Sequence, residues 1–398
     1  MDEGRGFRLA ISLFIGIMIG IFIFLVFIFP RGAFHRRRIS PAQKTLSGSR
    51  PGTGVSRQFL SGPQRGGYWG GEPISAPVVK TLATEHDVFS SPLVWGDRVY
   101  AGSLDCHLYA IAPGPPLEII WKYRAGHKIF SSPGADGDGN VYFGAVDGRI
   151  ISLDRDGQER WDFLTRGPVT SSPAIHGDHL YVNSSDGSLY ALNLRGSLRW
   201  KADIGNSLGE VSPSPAVDTF DRVVTGSTDG KVYCFSQWGN PEWTLDLESP
   251  VYSTPAILAD GGIVTASGDG KLVLISPGGS LIWSVLLGSP VESSPVVDPN
   301  RGIYLGLSRG GLVALDFSGR QRWEYSGAGP VNSSPAIDHE GNIYLGDESG
   351  TIHSLNPLGQ LRWTYPTEGA IFSSPALGPN FMVVGSEDNH IYFLFNNK

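Results

Sequence analysis

Cysteine is nearly missing from this chain: Cys106 and Cys234 are the only two in 398 residues. They cannot build a disulfide framework, and two free thiols leave the redox compartment open. Charge is sparse too, at 17% of residues. The nine histidines include no pair at HExxH spacing, and no phosphate-loop motif is present. Zinc-protease and nucleotide-hydrolase chemistry therefore have no signature here. The net charge of −7 conceals a division. Residues 1–71 hold ten Lys or Arg against Asp2 and Glu3, so the remainder holds 21 basic and 36 acidic side chains, a net of −15. An acidic body on a basic stalk argues against nucleic acid as a partner.

Only one long hydrophobic run exists. Leu9–Phe29 is 21 uncharged residues, mostly Ile, Phe and Leu. As a helix it would be roughly 32 Å long, enough to cross a bilayer core of about 30 Å. A cleaved signal peptide is the competing reading, but the length and the lack of a small-residue cleavage site favour an uncleaved single-pass anchor. No cysteine follows the run, which excludes a bacterial lipoprotein anchor. Arg31, Arg36, Arg37 and Arg38 after it outweigh Arg5 and Arg8 before it, and the positive-inside rule then puts the body in the cytoplasm. Residues 31–71 contain Arg, Ser, Gly and Pro but no acid, which reads as a solvated linker whose arginines can lie along anionic headgroups. The expected organisation is a tail at 1–8, a transmembrane helix at 9–30, a basic flexible linker at 31–71 and a folded body at 72–398.

What the body does have is a repeat. Ser90-Ser91-Pro92 recurs as Ser131-Ser132-Pro133, Ser171-Ser172-Pro173, Pro213-Ser214-Pro215, Ser253-Thr254-Pro255, Ser293-Ser294-Pro295, Ser333-Ser334-Pro335 and Ser373-Ser374-Pro375. The spacings between prolines are 41, 40, 42, 40, 40, 40 and 40 residues. A period of this size means a stacked or circular array. Within the seventh copy, Ser334–Ile337, Asn342–Gly346, Thr351–Leu355 and Gln360–Tyr365 read as four short strands separated by turns. Asp-Gly pairs such as Asp186-Gly187 and Asp229-Gly230 suit hairpins that need positive φ. Trp121, Trp161, Trp200, Trp243, Trp283, Trp323 and Trp363 fall in the fourth strands, placed to pack on the next blade. Lys80 holds the same position ahead of the first corner. The chain ends in a third strand, Ile391–Phe395, so the stretch around Val78, Val79 and Thr81 is expected to supply the missing fourth and close the ring. Proline lacks an N–H, which fits the innermost edge strand. The predicted fold is all-β, an eight-bladed propeller of four-stranded antiparallel blades preceded by one transmembrane α-helix.

The succession Ser-Ser-Pro-Ala, Ile-Tyr-Leu-Gly, Asp-Gly, Leu-Tyr-Ala-Leu and Gly-x-Leu-x-Trp resembles the PQQ-like repeat family. Ser172-Pro173-Ala174-Ile175 followed by Asp186-Gly187-Ser188-Leu189-Tyr190-Ala191-Leu192 carries the resemblance closely, and it extends from about Val78 to the C-terminus. The family includes quinoprotein dehydrogenases and non-enzymatic BamB-like propellers, and the size resembles the second group. That likeness implies a non-enzymatic scaffold for protein subunits of a membrane or envelope complex, with the bilayer as a second partner through the N-terminal helix. It also implies an extracytoplasmic (periplasmic or lumenal) body, against the flanking charges, so sidedness stays open. A quinone- and calcium-dependent oxidoreductase is the alternative, and a ligand- or stress-sensing domain is a third. In the enzymes of the family, adjacent cysteines form a ring beside the quinone; here no two cysteines are adjacent, and the long insertions are absent.

No residue is therefore assigned a catalytic, cofactor-binding or metal-binding role. Asp136, Asp138, Asn140 and Asp147 have calcium-loop spacing, but Val141 stands where the loop needs Gly, and a solvated turn fits better. Gly205-Asn206-Ser207-Leu208-Gly209 matches a nucleophile-elbow string without the strand and helix that such an elbow needs. His107, His353 and His390 read as structural hydrogen-bonding groups. Asn183 and Asn332 match glycosylation strings that overlap the repeat. Departures from the rhythm are the better pointers: three extra residues around Asn206 and Leu208, the apolar loop with Pro115 and Leu117, and the out-of-register Trp95 and Trp238. These six are the candidate partner-binding residues.

Overall fold

The computed structural model describes residues 73–75, 77–205 and 212–396. The span expected at 9–30, the linker at 31–71, and Asn206 and Leu208 lie outside the described residues. Among the described residues, no helix is long and apolar enough to cross a membrane.

Eight four-stranded antiparallel sheets form the body. Blade 1 runs Leu93–Trp95, Arg98–Gly102, His107–Ala112, Glu118–Arg124, and each later blade repeats that order. Blade 8 takes its first three strands from Ala376–Leu377, Phe381–Gly385 and His390–Asn396, and its fourth is Pro77–Ala83. Their pairing runs unbroken from Pro77 opposite Asn396 to Ala83 opposite His390. Lys80 faces Phe393 in the register that sets Trp363 opposite Ser354 in blade 7. The expected closure is thus the observed one.

Burial follows from the circular stacking. Second strands are buried, as in Val141–Gly144 and Ile343–Gly346, apart from the half-buried first residues Arg98 and His179, because a neighbouring blade covers each face. Fourth strands alternate between exposed and half-buried, since they form the rim. The core is divided among the gaps between blades. One cluster joins Val264 and Leu272 of blade 5 to Ile303 and Leu305 of blade 6. Another joins Phe381 and Phe393 of blade 8 to Val99 and Ile111 of blade 1, which makes the seam as apolar as the other gaps.

The corners explain the axis. First strands begin one residue after the corner proline, at Ala336 rather than at the expected Ser334. The reason is that the second corner residue sends its N–H sideways to the next blade. Ser91 N–H donates to Ser132 Oγ (2.9 Å), Ser132 to Ser172 (3.1 Å), Ser172 to Ser214 (2.9 Å) and Ser214 to Thr254 Oγ1 (3.2 Å). Thr254 donates to Ser294 Oγ (3.0 Å), Ser294 to Ser334 (2.9 Å), Ser334 to Ser374 (2.9 Å), and Ser374 returns to Ser91 (2.9 Å). Eight buried hydroxyl-bearing residues thereby close a hydrogen-bonded circle. The first corner serine works within its own blade. Ser90 Oγ donates to Gly102 O and accepts from Gly102 N, and Ser171, Ser253 and Ser333 do the same with Asn183, Ala266 and Gly346.

A second set of contacts ties the rim. The seven fourth-strand tryptophans each donate Nε1–H to a carbonyl beyond their own blade, at 2.7–3.2 Å. For six the acceptor lies in the turn between the third and fourth strands of the next blade. Trp363 instead reaches Ile74, just ahead of the closing strand. Gly279 lies in such a turn at φ +82°, and a Cβ there would stand 2.5 Å from the Trp243 ring. Lys80 has no indole to offer, and the turn of blade 1, beside the eighth blade, is the proline-rich loop Pro113–Leu117 instead.

Two predictions follow from these contacts. Ser294→Ala strands the buried Thr254 N–H and is expected to cost about 1–3 kcal/mol in urea unfolding, whereas the exposed Ser280→Ala stays within about 0.5 kcal/mol. Trp243→Ala is expected to cost about 3 kcal/mol, with Gly279→Ala also destabilising because its backbone and the indole both oppose a side chain.

Candidate interaction site at the propeller axis

The residue three before each corner proline stands at the axial end of its blade. Around the ring these are Phe89, Phe130, Thr170, Ser212, Tyr252, Glu292, Asn332 and Phe372. They divide into sectors. Phe89 stacks on Phe372 of blade 8 (centroids 5.2 Å) and tilts against Phe130 of blade 2 (5.4 Å). All three are half-buried. Thr170 Oγ1 accepts from Ser212 N–H at 3.1 Å.

The remaining sector is acidic. Glu348, in the second hairpin of blade 7, joins it: Glu348 Oε1 accepts from Asn332 Nδ2 (2.5 Å), and Asn332 Oδ1 accepts from Ser308 Oγ (2.8 Å). Glu292 is open to solvent along the axis yet walled by neighbouring blade ends, and that desolvation raises its carboxyl above the usual range. Desolvation also raises Glu348, and the nearby Glu292 charge adds to it. Tyr252 lies over Gly268, and its phenol is raised by burial and then by Glu292.

Elsewhere the acids are occupied. Asp105, Asp186, Asp229 and Asp388 each accept from a tyrosine four residues on, at 2.5–2.6 Å. Blade 7 replaces this pair. Asp347 Oδ2 lies 2.9 Å from His353 Nε2, and His353 Nδ1 lies 3.1 Å from Tyr325 OH. Burial alone would raise Asp347, but hydrogen bonds from His353, Thr351 N–H and Gly329 N–H hold its carboxyl below the usual range. Its native pKa is therefore below the unfolded one, so its stabilisation is complete above the unfolded carboxylate value and is lost as pH falls through the native value. Asp347→Asn is expected to cost about 3 kcal/mol at neutral pH. In pH-dependent denaturation the difference from the parent should shrink below about pH 4.

The sequence candidates have distinct fates. Trp238 is 68% exposed in the turn that receives Trp200. Pro115 is exposed, whereas Leu117 is half-buried and packs on the cluster between blades 8 and 1. Trp95 is half-buried against the gap between blades 1 and 2, over Gly139. The axis does not bring these four together: Trp238, Pro115 and Leu117 lie in third-to-fourth-strand turns, and Trp95 in a first strand.

The other sequence motifs resolve into local structure. Asp136 accepts from Asp138 N, Asn140 N, Asn140 Nδ2 and Tyr142 OH, which uses its carboxylate within the turn. Among the described residues, no three or more His, Cys, Asp or Glu side chains could hold a metal. Of the nucleophile-elbow string only Gly205 is described. His107 contacts Asp105, and His390 contacts the Asp388 carbonyl. Asn183 is buried, with Nδ2 donating to Pro213 O and Thr225 Oγ1. Burial pushes the Cys234 thiol up to about 12. Cys106 takes φ +71° at the hairpin position where Gly148 and Gly187 serve in other blades. The sequence reading missed Phe89, Phe130, Phe372, Glu292 and Glu348. The signal was the column three before each proline, which shares phase with the corner but no residue type.

The family model described as outer membrane protein assembly factor BamB matches residues 92–241, 196–335, 228–374 and 308–396. The chain belongs to this family. BamB of Bordetella pertussis is 26% identical over 165 residues, 40% of this chain and 42% of that protein. A beta-alanine-activating enzyme of Drosophila melanogaster is 29% identical over 161 residues, 35% of this chain and 16% of that enzyme. Both matches span less than half of the relative's length. Among solved structures, BamB of Moraxella catarrhalis superposes with TM-score 0.69 at 21% identity, over 81% of this chain and all of that one. A europium-containing methanol dehydrogenase superposes with TM-score 0.72 at 13% identity, over 85% and 98% of the two chains. At such identities the superpositions establish the fold alone.

Proposed function

We propose that this BamB-family propeller is a membrane-anchored, non-enzymatic scaffold that docks protein subunits of a membrane or envelope complex from the extracytoplasmic side. The observation that carries the reading is where satisfied and unsatisfied groups lie. Corner serines, hairpin aspartates and the histidines of blades 1, 7 and 8 are all engaged in hydrogen bonds within or between blades. What faces solvent instead is a set of contact groups: the axial phenylalanines and glutamates, and exposed Trp238 and Pro115 on the turns. Exposed aromatics are the groups that anchor protein interfaces. Relatives named as outer membrane assembly factors fit a role in assembly. Trp95, Leu117, Asn206 and Leu208 remain proposed as further partner contacts at the places where the repeat slips.

The likeness to a methanol dehydrogenase raises the quinone reading, which the axial residues do not favour. Pyrroloquinoline quinone is a tricarboxylate, and none of the eight axial positions is Lys or Arg. Two carboxyl groups already crowded there would repel it. The residues do not fit that group.

Purification of the native protein from detergent-solubilised membranes tests the scaffold. Stoichiometric co-purifying subunits are expected, with retention reduced by Trp238→Ala at an unchanged Tm. A partner-free protein whose absorbance shifts on titration with pyrroloquinoline quinone and calcium, and which then reduces a dye with an alcohol, would reverse the conclusion.

A further inference from the structure

The axial end has two chemically different walls. In an eight-membered ring blade 2 faces blade 6, so Phe130 stands across the axis from Glu292, and Phe89 of blade 1 stands across from Tyr252 of blade 5. The contiguous trio Phe372, Phe89 and Phe130 offers an apolar surface that no other blade end covers fully, since all three rings are partly open. The facing wall carries Glu292 and Glu348; burial raises both carboxyls, and the Glu292 charge raises Glu348 further.

Among the described residues the acidic wall has no counter-charge. The Glu348 carboxylate has, among the described residues, only the neutral Asn332 amide as hydrogen-bond donor. Among the described residues Glu292 has no hydrogen-bond or ion-pair partner, whereas Asp218, Asp298 and Asp316 each hold an arginine. Crowding two carboxylates without a cation costs free energy, and a cation placed between them would recover it. A purely aliphatic ligand would leave the glutamates uncompensated. An anionic one would be repelled.

We infer that the axial end is a docking site for a cationic, apolar peptide segment of a partner protein, with a lysine or arginine set against Glu292 and Glu348 and a neighbouring aromatic or aliphatic side chain set on Phe89, Phe130 and Phe372. This rests on the scaffold reading and names the chemistry of one partner contact. Charge complementarity selects the occupant: the propeller is acidic as a whole, and two carboxyls raised by burial with no described cation beside them lie here. Trp238 belongs to a turn outside this site, which makes it an internal control.

Fluorescence anisotropy with the purified full-length protein tests the inference. The probe is a labelled peptide carrying Lys-Phe-Lys in a Gly-Ser background, compared with versions in which Glu or Gln replaces both lysines. The lysine peptide is expected to bind, more weakly as salt rises, and the glutamate peptide not to bind. Glu292→Gln with Glu348→Gln should weaken binding by at least about tenfold, and Phe89→Ala should weaken it comparably. Trp238→Ala should leave it unchanged. Because Glu292 is exposed, Glu292→Gln alone is the variant that keeps the fold intact, and its Tm checks this. Equal binding of lysine and glutamate peptides, or lysine binding that survives both glutamine substitutions, would overturn the inference. So would tighter peptide binding when Arg36→Ser, Arg37→Ser and Arg38→Ser are combined, which would show that the chain's own basic segment occupies the site. No peptide binding, with native subunits still co-purifying, overturns this inference alone. Loss of every co-purifying subunit is the separate failure of the scaffold reading.

Discussion

A hydroxyl on one blade accepting an amide proton from the blade before it, eight times around one axis, is the constraint on which this structure depends. Each inner strand is only two or three residues long, too short to hold a blade by its own ladder. Proline cannot donate, so the N–H just ahead of it is the last one available before the strand begins. That N–H is buried, and leaving it unpaired would cost as much as a lost hydrogen bond. The neighbouring serine removes the cost without adding bulk, which lets eight chains converge. Because Ser374 returns to Ser91 across 283 positions of sequence, the circle closes only if the eighth blade is complete.

Completion depends on the chain's first described strand. Pro77–Ala83 gives blade 8 its outer edge, and Ile74 ahead of it accepts the indole N–H of Trp363. Axis and rim are thereby fastened by different chemistry: hydroxyl acceptors in the crowded centre, large indoles where there is room. The seam between blades 8 and 1 is the exception at the rim. Lys80 replaces the indole there and a proline-rich loop replaces the receiving turn, so the seam relies on the Phe381, Phe393 and Val99 cluster and on the serine circle.

Much of this was legible in the sequence because it is periodic. Forty-residue spacing gave the blades, the Trp column gave the outer strands, and the unpaired Ile391–Phe395 pointed to Val78, Val79 and Thr81 as its partner. The serines were read as small residues suited to a crowded axis. Their role as acceptors was not legible, because an Oγ direction depends on where the next blade sits. The axial wall escaped for the opposite reason. Phe89, Glu292 and Asn332 share a column in which residue type varies, and variation within a repeat has no period to detect. Trp95 and Leu117, singled out for breaking the rhythm, turned out to pack between blades, whereas Trp238 is open to solvent.

Amide hydrogen exchange resolved at the eight corner residues tests the circle most directly. If the circle holds the fold, the N–H groups of Ser91, Ser132, Ser172, Ser214, Thr254, Ser294, Ser334 and Ser374 exchange together and only through global unfolding, as slowly as the buried second strands. Exchange of these amides at the rate of exposed turns, while the second strands stay protected, would contradict it.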